Sequence, residues 1–228
     1  RVCAAIHHAH QRGVVHRDVK PSNVLVKEED GRPVPKVIDF GIAKLLEVEA
    51  SDRDVTLVGA QIGTPGYMSP EQAAGDAIDT RTDVYSLGVL LCELLTGEQP
   101  LPRERLRSVS FPAMARLLQD VPPRRPSSIV AANTPGERRL LRRLRTDLDW
   151  VVLHAVAPRR DDRYTSVAAL AEDVERHLRA LPVLARQNAA AYVLGKFVRR
   201  NRFFVSVAAT LLVAVVIAVV GLAWGLDV

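Results

Sequence analysis

The sequence predicts a mainly helical domain with short β-hairpins, followed by one transmembrane helix. Three observations predict it. Apolar residues recur at helical spacing over 2–12 and lie almost all round DVYSLGVLLCELLT, Asp83 to Thr96. Two short β-branched runs, NVLV and KVIDF, flank KEEDGRPVP, whose Asp-Gly signals a hairpin turn. Phe203 to Leu226, FFVSVAATLLVAVVIAVVGLAWGL, carries no charge, and only Ser206 and Thr210 are polar.

The first helix is expected to stop at Gly13, a residue suited to the left-handed position after a helix. VVHRDVKPSNVLV comes next: two β-branched runs enclose a mostly polar stretch that suits neither a buried strand nor a helix. After the hairpin, residues 42–63 lose periodicity and read as a long loop. Asp83 to Thr96 should form a central buried helix closed by Gly97. Residues 98–136, rich in Pro and Arg, predict loops and short helices. RRLLRRLR, residues 138–145, reads as a solvated amphipathic helix, with contact to anionic lipid as the alternative. Two amphipathic helices are expected around 146–157 and 165–180.

As a helix, 203–226 would run about 36 Å, enough to cross a bilayer core. A core helix of that length would show a polar stripe, and this one shows none. Lys196, Arg199, Arg200 and Arg202 precede it and Asp227 follows. The positive-inside rule then places residues 1–202 in the cytoplasm of a single-pass cell-membrane protein. The predicted organisation is a domain over 1–180, a basic juxtamembrane segment over 181–202 and the span over 203–226.

Composition agrees with a folded domain: 228 residues, 48% hydrophobic and 25% charged, with a formal charge of +5. Cys3 and Cys92 sit in apolar helical patterns and form neither a CxxC site nor a disulfide framework, which suits a reducing cytosol. The basic excess lacks the interleaved aromatics and motifs of a nucleic-acid binder. His7, His8 and His10 look like a metal cluster only superficially. His7 and His10 share a helix face, His8 points elsewhere, and all three are expected on the helix surface. The sequence opens on Arg1 within a helical pattern, so it is expected to begin partway through a longer protein.

Three motifs now fall in order. HRDVKPSN resembles the catalytic loop H-R-D-L-x-x-x-N of protein kinases, with Val19 in place of Leu. Asp39-Phe40-Gly41 matches D-F-G, and GTPGYMSPEQ resembles the end of an activation segment, with Ser69-Pro70-Glu71 where Ala-Pro-Glu is usual. The likeness runs from residue 1 to about 180, and the tail HLRALPVLARQNAAAYVLGKFVRRNR followed by a span resembles bacterial transmembrane serine/threonine kinases. It implies the C-terminal lobe of a protein-kinase-like fold, with ATP and Mg²⁺ as cofactors.

The chemistry explains the residue types. Phosphoryl transfer has a loose transition state, so an enzyme mostly positions groups and offsets phosphate charge. The resemblance gives Asp18 the substrate hydroxyl proton and Lys20 the γ-phosphate. Asn23 and Asp39 become the oxygen ligands of magnesium, a hard cation. An ordinary aspartate, with a pKa of about 3.9, is a poor base at neutral pH. Orienting the hydroxyl and taking its proton late is enough in a loose transition state. Lys20 and Thr64, in the substrate-binding loop, favour serine and threonine acceptors on protein substrates. Arg17 implies control by a phosphorylated loop, with Thr56 or Ser51 as acceptor and a second copy of the chain as a possible partner in trans. His16 is expected to pack against the Phe40-Gly41 turn, Glu71 to pair with Arg163, and Asp83 to hold the loop backbone. A glycine loop and a strand lysine are also needed, and neither precedes His16 here, so these residues alone should transfer no phosphate. The rival reading is a non-catalytic, membrane-tethered kinase-like scaffold.

Overall fold

The computed structural model describes residues 1–40, 65–186 and 190–201, together with 203, 204, 206–208 and 210–212. The expected loop over 42–63 and most of the expected span lie outside the described residues. Among the described residues no helix is long and apolar enough to cross a membrane.

The architecture is mostly helical with a small two-stranded sheet. The first helix, α1, covers Val2–His10, and Gly13 follows at φ 75°. Strand β1, Val24–Glu29, pairs antiparallel with β2, Arg32–Val37, in the register Val24↔Val37 to Glu29↔Arg32. Asp30 and Gly31 both take positive φ, 52° and 70°, as a tight two-residue hairpin turn requires. The apolar run here does not enter the core, because Leu25 and Val26 are exposed.

The core forms around one helix. After α2, Pro70–Ala74, comes α3, Arg81–Thr96, which buries Val84, Tyr85, Leu87, Val89, Leu90 and Cys92. Its last turn faces outward at Leu94, so the helix is not buried all round. Gly97 closes it at φ 80°. Short helices α4, Arg103–Arg107, α5, Phe111–Asp120, and α6, Pro126–Ile129, fill the Pro- and Arg-rich region. The arginine-rich helix α7 covers Pro135–Arg143 and opens on a Thr134–Glu137 capping box. A π-helical turn, Leu144–Leu148, then leads into α8, Asp149–Ala155. The remaining helices are α9, Val167–Leu178, and α10, Ala190–Arg200.

Gly88 is where α3 meets the end of α8. A Cβ there would lie 2.7 Å from Ala155 Cβ and 2.8 Å from Val156 Cγ1. Neither neighbour is a flexible side-chain tip that can swing aside. Gly88→Ala is therefore expected to destabilise the protein by about 1–3 kcal/mol through overpacking, read as a lower Tm.

Candidate active site

The HRDVKPSN stretch forms a loop pinned at every third or fourth residue. His16 and Val19 are fully buried and Asn23 is 5% exposed. Lys20, restricted by the proline after it, is extended at φ −157°, ψ 165°. Pro21–Asn23 then make one 3₁₀ turn that feeds β1.

Asp83, fully buried at the start of α3, holds the loop from inside. Its Oδ2 accepts from the His16 N–H and its Oδ1 from the Arg17 N–H, both at 2.8 Å. His10 Nε2 lies 2.6 Å from Asp83 Oδ2. The reading of His10 as a surface residue is therefore corrected: its side chain is 6% exposed because the polar end of α1 packs on a buried carboxylate. His8 is exposed and His7 half-buried.

Arg17 takes φ 67°, a left-handed conformation that costs a non-glycine residue on the order of 1–3 kcal/mol. Its peptide groups are held on both sides. Asp83 takes its N–H, and Gln72 Nε2 donates to its carbonyl at 2.7 Å. Gln72 also closes a capping box on Ser69 at the start of α2, its Oε1 accepting from the Ser69 N–H at 3.1 Å. The Ser69–Gln72 corner thus fixes the loop that carries Asp18. Gln72→Glu keeps the cap acceptor but loses the donor to Arg17. It is expected to cost about 1–3 kcal/mol, measured by urea unfolding.

Asp18, Lys20 and Asn23 converge. Lys20 Nζ donates to Asp18 Oδ2 at 2.8 Å, and Asn23 Nδ2 donates to the Asp18 carbonyl at 2.9 Å and to Oδ2 at 3.3 Å. With its amide nitrogen so engaged, Asn23 turns its oxygen the other way, where it accepts from Ser22 Oγ at 3.4 Å. The residue before Asp39 is tied to the same loop. The Ile38 N–H donates to the Asn23 carbonyl at 3.0 Å, and His16 Nε2 donates to the Ile38 carbonyl at 3.1 Å. Asp39 itself is exposed and left-handed at φ 54°. His16 Nδ1 accepts from the Asp18 N–H at 3.3 Å, which fits the tautomer protonated on Nε2. The His16 ring packs on Phe40 with centroids 4.6 Å apart.

Behind the loop, Glu71 and Arg163 form a bidentate pair at 2.7 and 2.8 Å, both nearly fully buried. Thr82 Oγ1 also donates to Glu71 at 2.8 Å. Burial pushes the Glu71 carboxyl up, but the Arg163 hydrogen bonds and charge outweigh it and hold the group below the usual carboxylate range. Beside Lys20 opens a cavity of about 290 Å³ lined by Lys20, Ser22, Tyr67, Glu93, Gln99 and Arg103. Glu93 accepts there from Tyr67, Arg103 and Gln99. Gly41, Ser51, Thr56 and Thr64 lie outside the described residues.

A carboxylate and an amide oxygen beside a Lys–Asp pair suit a hard cation and the phosphates it carries. The fold and this site are those of the protein kinase family. The protein kinase domain matches residues 1–170, and the chain belongs to that family. Serine/threonine-protein kinase Pkn1 of Myxococcus xanthus is 41% identical over 170 residues, which are 74% of this chain and 22% of that protein. Serine/threonine-protein kinase PknB of Mycobacterium tuberculosis is 40% identical over 174 residues, 76% of this chain and 24% of that protein. The crystal structure of a double mutant of the M. tuberculosis PknI kinase domain superposes with a TM-score of 0.52 at 26% identity, covering 77% of this chain and 52% of that one. This chain spans about a quarter of the length of the curated relatives it matches.

Proposed function

We propose that the chain is the catalytic and substrate-binding lobe of a membrane-anchored serine/threonine protein kinase that uses ATP and Mg²⁺. The observation that carries it is the Lys20–Asp18–Asn23 cluster on a strained loop anchored by a buried aspartate. ATP and magnesium, when bound, supply the transferable phosphoryl group and the positive charge that offsets it. Asn23 Oδ1 and the Asp39 carboxylate would hold the metal. Asp18 orients the acceptor hydroxyl and takes its proton, while Lys20, paired with that carboxylate, would offset the phosphate charge. Protein substrates enter by the cavity beside Lys20.

His16 packed on Phe40 supports the segment that carries Asp39, and Gly41 and Thr64 take the roles the family gives them, Thr64 at the acceptor site. Arg17 receives a phosphate placed on Thr56 or Ser51, which a second copy of the completed kinase, bearing the glycine loop and strand lysine, can supply in trans. Residues 203–226 cross the membrane and keep 1–202 in the cytoplasm.

A glycine-rich phosphate loop and a strand lysine complete such an enzyme. Joined to a lobe bearing them, the chain is expected to move label from γ-labelled ATP onto serine or threonine of a protein acceptor. A scaffold transfers none, and has no chemical need of Asp18, Asn23 and Asp39 together.

A further inference from the structure

Helix α10 faces the wrong way for a helix packed on a lobe in water. Its polar residues point inward. Tyr192 Oη donates to Asp147 Oδ1 at 2.8 Å, and Lys196 Nζ donates to Asp147 Oδ2 at 2.5 Å. Asp147 is fully buried in the π-helical turn, where His177 Nδ1 also lies 2.7 Å from its Oδ2. Tyr192 Oη further accepts from the Val183 N–H at 3.0 Å, and the Arg186 guanidinium covers the Tyr192 ring at 4.5 Å. The opposite face of the helix is apolar and outward: Leu194 is 62% exposed and Phe197 51%, with Val193 and Val198 exposed beside them. At 3.6 residues per turn these four form one stripe, while Tyr192 and Lys196 lie on the other side.

An amphipathic surface helix ordinarily turns that stripe to the core. Here the lobe takes the polar face and leaves the stripe for another phase. Two features of the chain say which. The helix ends one residue before Asn201, and the uncharged run begins at Phe203. Beyond Lys196, which is engaged by Asp147, Arg199, Arg200 and Arg202 crowd the same few positions, the composition of a helix that lies at an anionic lipid surface.

We propose that α10 lies in the membrane interface, its Val193–Leu194–Phe197–Val198 stripe in the lipid and its Tyr192–Lys196 face clamped to Asp147. The helix is then a bracket that holds the kinase lobe against the bilayer. This inference rests on the reading of 203–226 as a span.

The test uses the full chain in vesicles of phosphatidylglycerol and phosphatidylcholine. A benzophenone-bearing residue replaces Leu194, Phe197 or, as reference, Leu212. Lipid adducts at 194 and 197 comparable in yield with those at 212 are expected. Lipid adducts at 212, with only protein adducts or none at 194 and 197, would overturn the bracket and leave the span standing. No lipid adduct at any of the three would remove the span reading, and the bracket with it.

Discussion

Arg163→Ala is expected to remove about 3–5 kcal/mol of stability, read as a fall in the urea midpoint. The guanidinium fills a site that alanine cannot satisfy. It donates to both Glu71 oxygens and also to the carbonyls of Ala157, Pro158 and Arg81, at 2.7, 3.0 and 3.2 Å. Its plane also lies 5.0 Å from the Tyr85 ring centroid. Alanine would leave a buried carboxylate with the Thr82 hydroxyl in place of a cation, and three carbonyls without this donor. A domain is commonly stable by about 5–15 kcal/mol, so the variant should sit near the edge of folding. Glu71→Met with Arg163→Met together should cost less than Arg163→Ala, because no unpaired charge remains. The pair also sets a pH dependence. Glu71 is held below its unfolded value, so its stabilisation is fully present above about pH 4.3 and is lost as pH falls through the lower folded value. In Arg163→Ala only the Thr82 hydroxyl and a backbone donor oppose burial, and Glu71 gains a proton more readily. The deficit of that variant is therefore expected to narrow in acid.

Much of the fold was legible because its signals are local. The Asp-Gly turn, the Gly97 stop and the apolar run of α3 each rest on a few adjacent residues. Three motifs in order then carried the family, which no single one could have done. What escaped the sequence depends on distance along the chain. Nothing near His10 announces Asp83, 73 residues away, so the histidine looked like surface. Gln72 reads only as a helix cap, yet its amide reaches back 55 residues to Arg17. Asp147 follows a run of arginines that reads as a solvated helix, but the π turn rotates it inward to meet Tyr192 and Lys196. Leu25 and Val26, in an apolar run, lie exposed. β-branched composition suits a pleated surface, and by itself it does not say that the surface is covered.

The second large effect is catalytic. Asp18→Asn keeps the shape of the side chain and lets Asn23 go on donating to the residue 18 carbonyl. It replaces the carboxylate that Lys20 and Asn23 share by an amide that cannot take a proton. Half of that amide is itself a donor, and would confront the donors of Lys20 or Asn23. Losing general-base assistance of this kind typically lowers a rate about 10²–10⁴-fold. Asn23 and Asp39 are untouched, so binding of Mg²⁺ and ATP should persist.

The most direct measurement is thus single-turnover phosphoryl transfer by the full-length protein and its Asp18→Asn variant, with nucleotide affinity measured on both. The account predicts unchanged ATP affinity and a transfer rate at least about a hundredfold lower in the variant. Near-normal transfer by Asp18→Asn would contradict it, as would a wild-type protein that binds nucleotide and transfers nothing.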